Sequence, residues 1–116
     1  MITGVHAVVF SPDAQKVREF FVDVLGFPSV DAGDGWPIFA LPPAELAVHP
    51  AGAEGEHQLF LMCDDIRATL AELHAKGAEV AQDVSDRGWG LLAAIRLPDG
   101  NELGIYEPRH LSPPQS

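Results

Sequence analysis

Imidazoles, indoles and carboxylates are the groups in this chain able to do chemistry, and they are spaced unevenly. Histidines stand at His6, His49, His57, His74 and His110, and an imidazole can ligate a metal or move a proton near neutral pH. His6 and His57 are 51 residues apart (57 − 6), and so are Gly26 and Gly77 (77 − 26), glycines placed where helices end. Trp36 follows Gly33-Asp34-Gly35 and Trp89 follows Gly88. Rings beside glycine turns serve either as pocket walls or as lids on a core. The single cysteine, Cys63, lies in an apolar run, which suits a packed thiol better than a nucleophile. Asp64-Asp65 and Asp99 suit a helix cap and a turn. The chain carries no Gly-x-Ser-x-Gly, no phosphate-cradling glycine loop and no pair of cysteines.

The elements that must position these groups repeat. Leu97-Pro98-Asp99-Gly100-Asn101-Glu102-Leu103 reads as a hairpin turn between two strands, with Asp-Gly supplying the positive φ that such a turn needs. Leu41-Pro42-Pro43-Ala44-Glu45-Leu46 presents the same order in the first half, with a turn one residue shorter. Upstream, residues 5–10 are rich in β-formers and predict a strand. Ser11-Pro12 predicts the cap and first position of a helix over 13–25, whose Val17, Phe20, Phe21, Val24 and Leu25 form one apolar stripe. Short strands follow near Val30 and from Trp36 to Leu41. The second half replays this with a strand over 57–63, a helix over 65–76 carrying Ile66, Leu70 and Leu73, a strand over 78–84 and the closing hairpin. A duplicated βαβββ unit is the reading that accounts for both halves.

Composition bounds the partners. With 116 residues, 47% of them hydrophobic, the chain has one domain's worth of core. Seven basic residues against 17 acidic ones give a formal charge of −10, which opposes binding to nucleic acid or to an anionic membrane. The first residues lack the basic and long apolar regions of a signal peptide, and no run approaches the length of a membrane span, so a cytoplasmic location is expected.

The duplicated order resembles the vicinal oxygen chelate superfamily over residues 2–109. The stretch Phe20-Phe21-Val22-Asp23-Val24-Leu25-Gly26-Phe27, the Gly88-Trp89-Gly90 loop and the Pro98-Asp99-Gly100-Asn101 turn carry the same resemblance. That superfamily includes glyoxalase I, extradiol dioxygenases, fosfomycin-resistance transferases, methylmalonyl-CoA epimerase and bleomycin-binding resistance proteins. The resemblance implies an α+β fold in which two tandem βαβββ modules form a curved, mostly antiparallel sheet around a cleft. Residues 1–110 would be one domain, with module one at 1–50, a linker at 51–56 and module two at 57–110, followed by a flexible tail at 111–116. A second copy of the chain commonly completes such a cleft, so a homodimer is expected.

The resemblance also implies a divalent metal (zinc, nickel, manganese or iron). Metal-dependent relatives hold it with a histidine on the first strand of each module and a glutamate on a last strand. His6 and His57 match the histidines. The glutamate belongs four residues after the turn glycine, where this chain has Gly104, and Ala47 is the equivalent in module one. Neither carries a donor. By strand parity Glu102 and Tyr106 share the face of Gly104, and Glu45 and His49 share that of Ala47. A carboxylate two positions along is displaced by ~7 Å, against a metal–oxygen bond of ~2.0–2.2 Å. Two readings therefore stay open. One is a protein that binds a small molecule without metal, with Trp36, His49, Trp89 and Tyr106 as ligand-binding residues. The other is a metal-dependent lyase, isomerase, transferase or dioxygenase using His6 and His57.

Overall fold

The closing hairpin is built as its residues dictate. In a computed structural model that describes residues 6–9, 11–45 and 58–111, Gly100 has a φ of 90°. Its N–H donates to the Leu97 carbonyl at 2.9 Å, and the Leu97 N–H donates to the Asn101 carbonyl at 2.7 Å. Asp99 secures the turn by accepting from the Asn101 N–H at 2.9 Å.

The described elements run α1 (Ala14–Asp23), β1 (Ser29–Asp31), β2 (Pro37–Phe39), β3 (Phe60–Met62), α2 (Ile66–Ala75), β4 (Glu79–Asp86), β5 (Gly90–Arg96) and β6 (Glu102–Pro108). Strands β3 to β6 make a four-stranded sheet in the order β3-β6-β5-β4, with β3 parallel to β6 and the other pairs antiparallel. With α2 crossing from β3 to β4, module two is a complete βαβββ unit. Strands β1 and β2 form a separate antiparallel pair. This is the α+β architecture expected from the sequence. Among the described residues no helix is long and apolar enough to cross a membrane.

One face of the four-stranded sheet makes the core. Ala93, Ile95 and Leu97 near β5 and Leu103 and Ile105 on β6 alternate toward the same side, where they pack with Ile66, Leu70 and Leu73 of α2. Val17 and Phe20 of α1 join that same buried cluster, so the helix stripes read from sequence are core in both halves. Asp65 caps α2 by accepting from the Ala68 N–H at 3.1 Å. Glu107, reaching from β6, accepts from the Ile66 N–H at 2.9 Å and satisfies a second donor at the same helix end.

Two local expectations are corrected. Residues 6–9 of the expected first strand form no ladder. Their apolar residues, with Val8 60% exposed, have no neighbouring strand among the described residues to pack on. Ser11 does not cap α1, because Asp13 holds the N-cap position without a side-chain cap bond. Instead the Ser11 hydroxyl donates to the Asp99 carboxylate and accepts from the Asp13 N–H at 3.1 Å. The third strand of module one, which would begin after Glu45, lies outside the described residues together with the linker.

Candidate functional site

The face of the sheet away from the helices carries the aromatic groups. Strand pairing sets which residues share it: Phe60 lies opposite Gly104, Met62 opposite Tyr106, Leu92 opposite Tyr106 and Ala94 opposite Gly104. Directly opposed residues on neighbouring strands point to the same side. Phe60 and Met62 on β3, Leu92 and Ala94 on β5, and Gly104 and Tyr106 on β6 therefore form one surface. Two glycines let rings lie flat against its backbone. A Cβ added at Gly90 would sit 2.4 Å from the Tyr106 ring, and one added at Gly104 would sit 2.2 Å from the Phe60 ring.

Tyr106 is the centre of the cluster. Its ring centroid is 5.3 Å from that of Trp89 and 6.3 Å from that of Phe60, both in edge-to-face contacts. His110, just past the end of β6, lies 5.8 Å from Tyr106 with the two rings tilted by only 32°. The His110 Nε2 is 3.7 Å from a carboxylate oxygen of Glu45, so residues from the two halves of the chain meet beside this tyrosine. The Arg109 N–H donates to the Trp89 carbonyl at 3.0 Å and anchors the turn that brings His110 there. Burial, then the Glu45 carboxylate, push the Tyr106 phenol above its ordinary pKa, which keeps the hydroxyl protonated as a hydrogen-bond donor. Trp89 remains substantially exposed. Beside this cluster Met62, Cys63, Glu107 and Pro108 line a shallow cavity of about 390 Å³. Burial raises the pKa of the Cys63 thiol, as expected for a packed rather than a nucleophilic cysteine.

The sequence profile of the Glyoxalase/Bleomycin resistance protein/Dioxygenase superfamily matches residues 4–105. The chain belongs to this superfamily. No curated protein matches the sequence, but solved structures do. TnmS3, an antibiotic binding protein from Streptomyces sp. CB03234, is 28% identical with a TM-score of 0.66, the match covering 92% of this chain and 97% of that one. A superfamily member from Sphaerobacter thermophilus DSM 20745 is 23% identical with a TM-score of 0.64, covering 91% and 98% of the two chains. The lactoylglutathione lyase from Agrobacterium tumefaciens is 18% identical with a TM-score of 0.65, covering 90% and 92%. The last two show a shared fold.

The superfamily's three-ligand metal pattern does not fit the described positions. Gly104, at the glutamate's place, has no donor, and the space a side chain would enter there is filled by the Phe60 ring. The small residue thus seats an aromatic ring. No three His, Cys, Asp or Glu side chains gather as a possible metal site among the described residues. His6 is described and exposed, whereas His57, His49 and Ala47 lie outside the described residues.

Of the four residues expected to bind a ligand, the structure brings Trp89 and Tyr106 together. Trp36 stands elsewhere, 63% exposed, with the Arg18 guanidinium 4.7 Å above its ring. His110 sits beside Tyr106, and Phe60, expected only as a strand residue, joins the same face. Strand alternation puts Phe60 and Met62 on one face of β3, but which face that is depends on its pairing with β6. No local pattern announces His110, because its position depends on where the chain turns after β6.

Proposed function

We propose that this protein binds a small molecule on the open face of its four-stranded sheet, in the cleft between its modules and without a requirement for metal. The observation that carries the reading is the convergence of Trp89, Tyr106 and Phe60 on that face, two of the rings seated over glycines. Aromatic walls with a few polar groups, here the Tyr106 hydroxyl, Glu45 and His110, are the usual make-up of a small-molecule site. The similarity to an antibiotic binding protein supports the same reading. His49 belongs to the proposed set, and Trp36, beside Arg18, stands apart from it. A thermal-shift screen against aromatic small molecules tests it: hits should lose their shift in Trp89→Ala and in Tyr106→Ala. Hits that survive both substitutions would place binding elsewhere.

The equivalent positions of His6 and His57 favour a second reading, a metal-dependent lyase, isomerase, transferase or dioxygenase of the superfamily. Zinc, nickel, manganese or iron(II) should then raise the melting temperature, since a ligand specific to the folded state stabilises it. The gain should disappear in both His6→Ala and His57→Ala. An unchanged melting temperature in the wild type would sink this second reading.

The location proposed is the cytoplasm and the assembly a homodimer.

A further inference from the structure

An aspartate followed by glycine is open to backbone rearrangement, because glycine leaves the next amide nitrogen unshielded. The chain has two such pairs, Asp34-Gly35 and Asp99-Gly100, and the fold treats them oppositely. Asp99 closes the turn between β5 and β6, strands of seven residues each inside the four-stranded sheet. Its carboxylate accepts from the Ser11 hydroxyl and from the backbone and side-chain N–H groups of Asn101, at 2.9 and 3.0 Å. The Gly100 nitrogen is engaged as well, donating to the Leu97 carbonyl at 2.9 Å. Asp34 closes the turn between β1 and β2, strands of three residues that pair only with each other among the described residues. The Trp36 N–H donates to the Gly33 carbonyl across that turn at 3.0 Å, and the φ values of Asp34 (53°) and Gly35 (78°) are those of a mirror-image hairpin turn. Asp34 is the one non-glycine residue at positive φ among the described residues, a sparsely populated conformation. Neither its carboxylate nor the Gly35 N–H has a hydrogen-bond partner among the described residues, and both residues are exposed. A short two-stranded hairpin opens at little cost. Opening relieves the strain at Asp34 and lets its carboxyl carbon reach the Gly35 nitrogen.

We propose that Asp34-Gly35 is a site of spontaneous isoaspartate formation, which the fold leaves open while it protects the identical pair Asp99-Gly100. The Gly35 nitrogen bonds to the Asp34 Cγ, and the carboxyl hydroxyl and the amide proton leave together as water. The resulting succinimide takes one water back at either of its carbonyls. Addition at Cγ restores aspartate, whereas addition at the backbone carbonyl carbon breaks the old peptide bond and leaves the chain running through the side chain. The atoms balance with water alone, and the mass of the protein is unchanged. The protonated carboxyl is the form that loses hydroxyl, which adds to the contrast: the hydrogen bonds to Asp99, that of Ser11 first, hold its carboxyl below the ordinary carboxylate pKa. The isoaspartyl product has one more backbone atom inside a turn that the Ala32 N–H to Trp36 carbonyl bond closes at 2.8 Å. The end of the hairpin carrying Trp36 cannot then close as before.

The test ages the purified protein in its folded state, warm and at mildly acidic pH. Isoaspartate is counted by an isoaspartyl methyltransferase with labelled S-adenosylmethionine and located by fragmentation of peptides in the mass spectrometer. It should accumulate several-fold faster at Asp34 than at Asp99, and the two rates should converge when the protein is aged unfolded in urea. Asp34→Glu should remove the faster signal, because the longer side chain would have to close a larger ring. Ser11→Ala should speed the reaction at Asp99 and leave that at Asp34 unchanged. Equal rates in the folded protein, or a faster rate at Asp99, would overturn the inference. So would a signal that appears only on unfolding, since the fold would then protect both pairs. A preference for Asp34 that persists undiminished in urea would make the difference a property of neighbouring residues and overturn the role of the fold. Ser11→Ala that leaves Asp99 unchanged, or raises both sites alike, would overturn the Ser11 bond as the source of protection.

Discussion

Gly104 shows how one residue settles several questions. Its missing side chain removes the superfamily's carboxylate ligand, and the same absence lets the Phe60 ring press onto the β6 backbone, 2.2 Å from where a Cβ would stand. Gly104→Ala must therefore push the ring aside, and such overpacking costs ~1–3 kcal/mol. Because the contact is with Phe60, the double substitution Phe60→Ala with Gly104→Ala should lose less than the two single changes added together. A denaturant double-mutant cycle measures that coupling, and strict additivity would show that the ring does not rest on the glycine.

At the scale of the element, the Asp99 turn is tied to the start of α1. Asp99 accepts from the Ser11 hydroxyl, 88 residues away in sequence, and also from the Asn101 N–H. The Ser11 hydrogen bond, then that of the Asn101 backbone, hold its carboxyl below the ordinary carboxylate pKa. A folded-state pKa lowered in this way stabilises the fold above the unfolded value, and the contribution fades as pH falls through the folded one. Asp99→Asn should therefore be less stable than the wild type at neutral pH, with the gap closing below about pH 4. Melting curves across that range check the sign, and a gap that widens on acidification would contradict it. The helices provide the second test at this scale. Phe20 on α1 and Leu70 on α2 belong to one buried cluster, so Phe20→Ala and Leu70→Ala should each cost ~2–5 kcal/mol in denaturant unfolding. Losses below about half a kcal/mol, within the range of ordinary surface changes, would remove those stripes from the core.

For the whole molecule the distribution of apolar surface is uneven. Of the twelve exposed large apolar side chains among the described residues, seven (Val8, Val9, Val22, Val30, Trp36, Ile38 and Leu41) lie in the first half, whereas most of the buried cluster lies in the second. Apolar surface concentrated in this way suits burial against another chain. The proposed homodimer should therefore scatter light at twice the chain mass at micromolar concentration. A single-chain mass under those conditions would argue that module one stays uncovered.

The sequence by itself determined the elements whose causes are local. The Val17 to Phe20 and Ile66 to Leu73 stripes, the positive-φ Gly100 turn and the helix ends at Gly26 and Gly77 all depend on neighbours a few positions away. They emerged within a residue or two of their places, and the repeat they form was enough to point to the superfamily. Trp89 and Tyr106 could also be named as candidates, from a glycine turn and from strand parity. Only the tertiary structure decided what those candidates meet. It set Phe60 over Gly104, sent Trp36 to Arg18 and Ser11 to Asp99, and turned His110 back between Tyr106 and Glu45. Each of these contacts joins residues distant in sequence or follows from an irregular turn, so it depends on strand order and chain direction, which no short window of residues encodes.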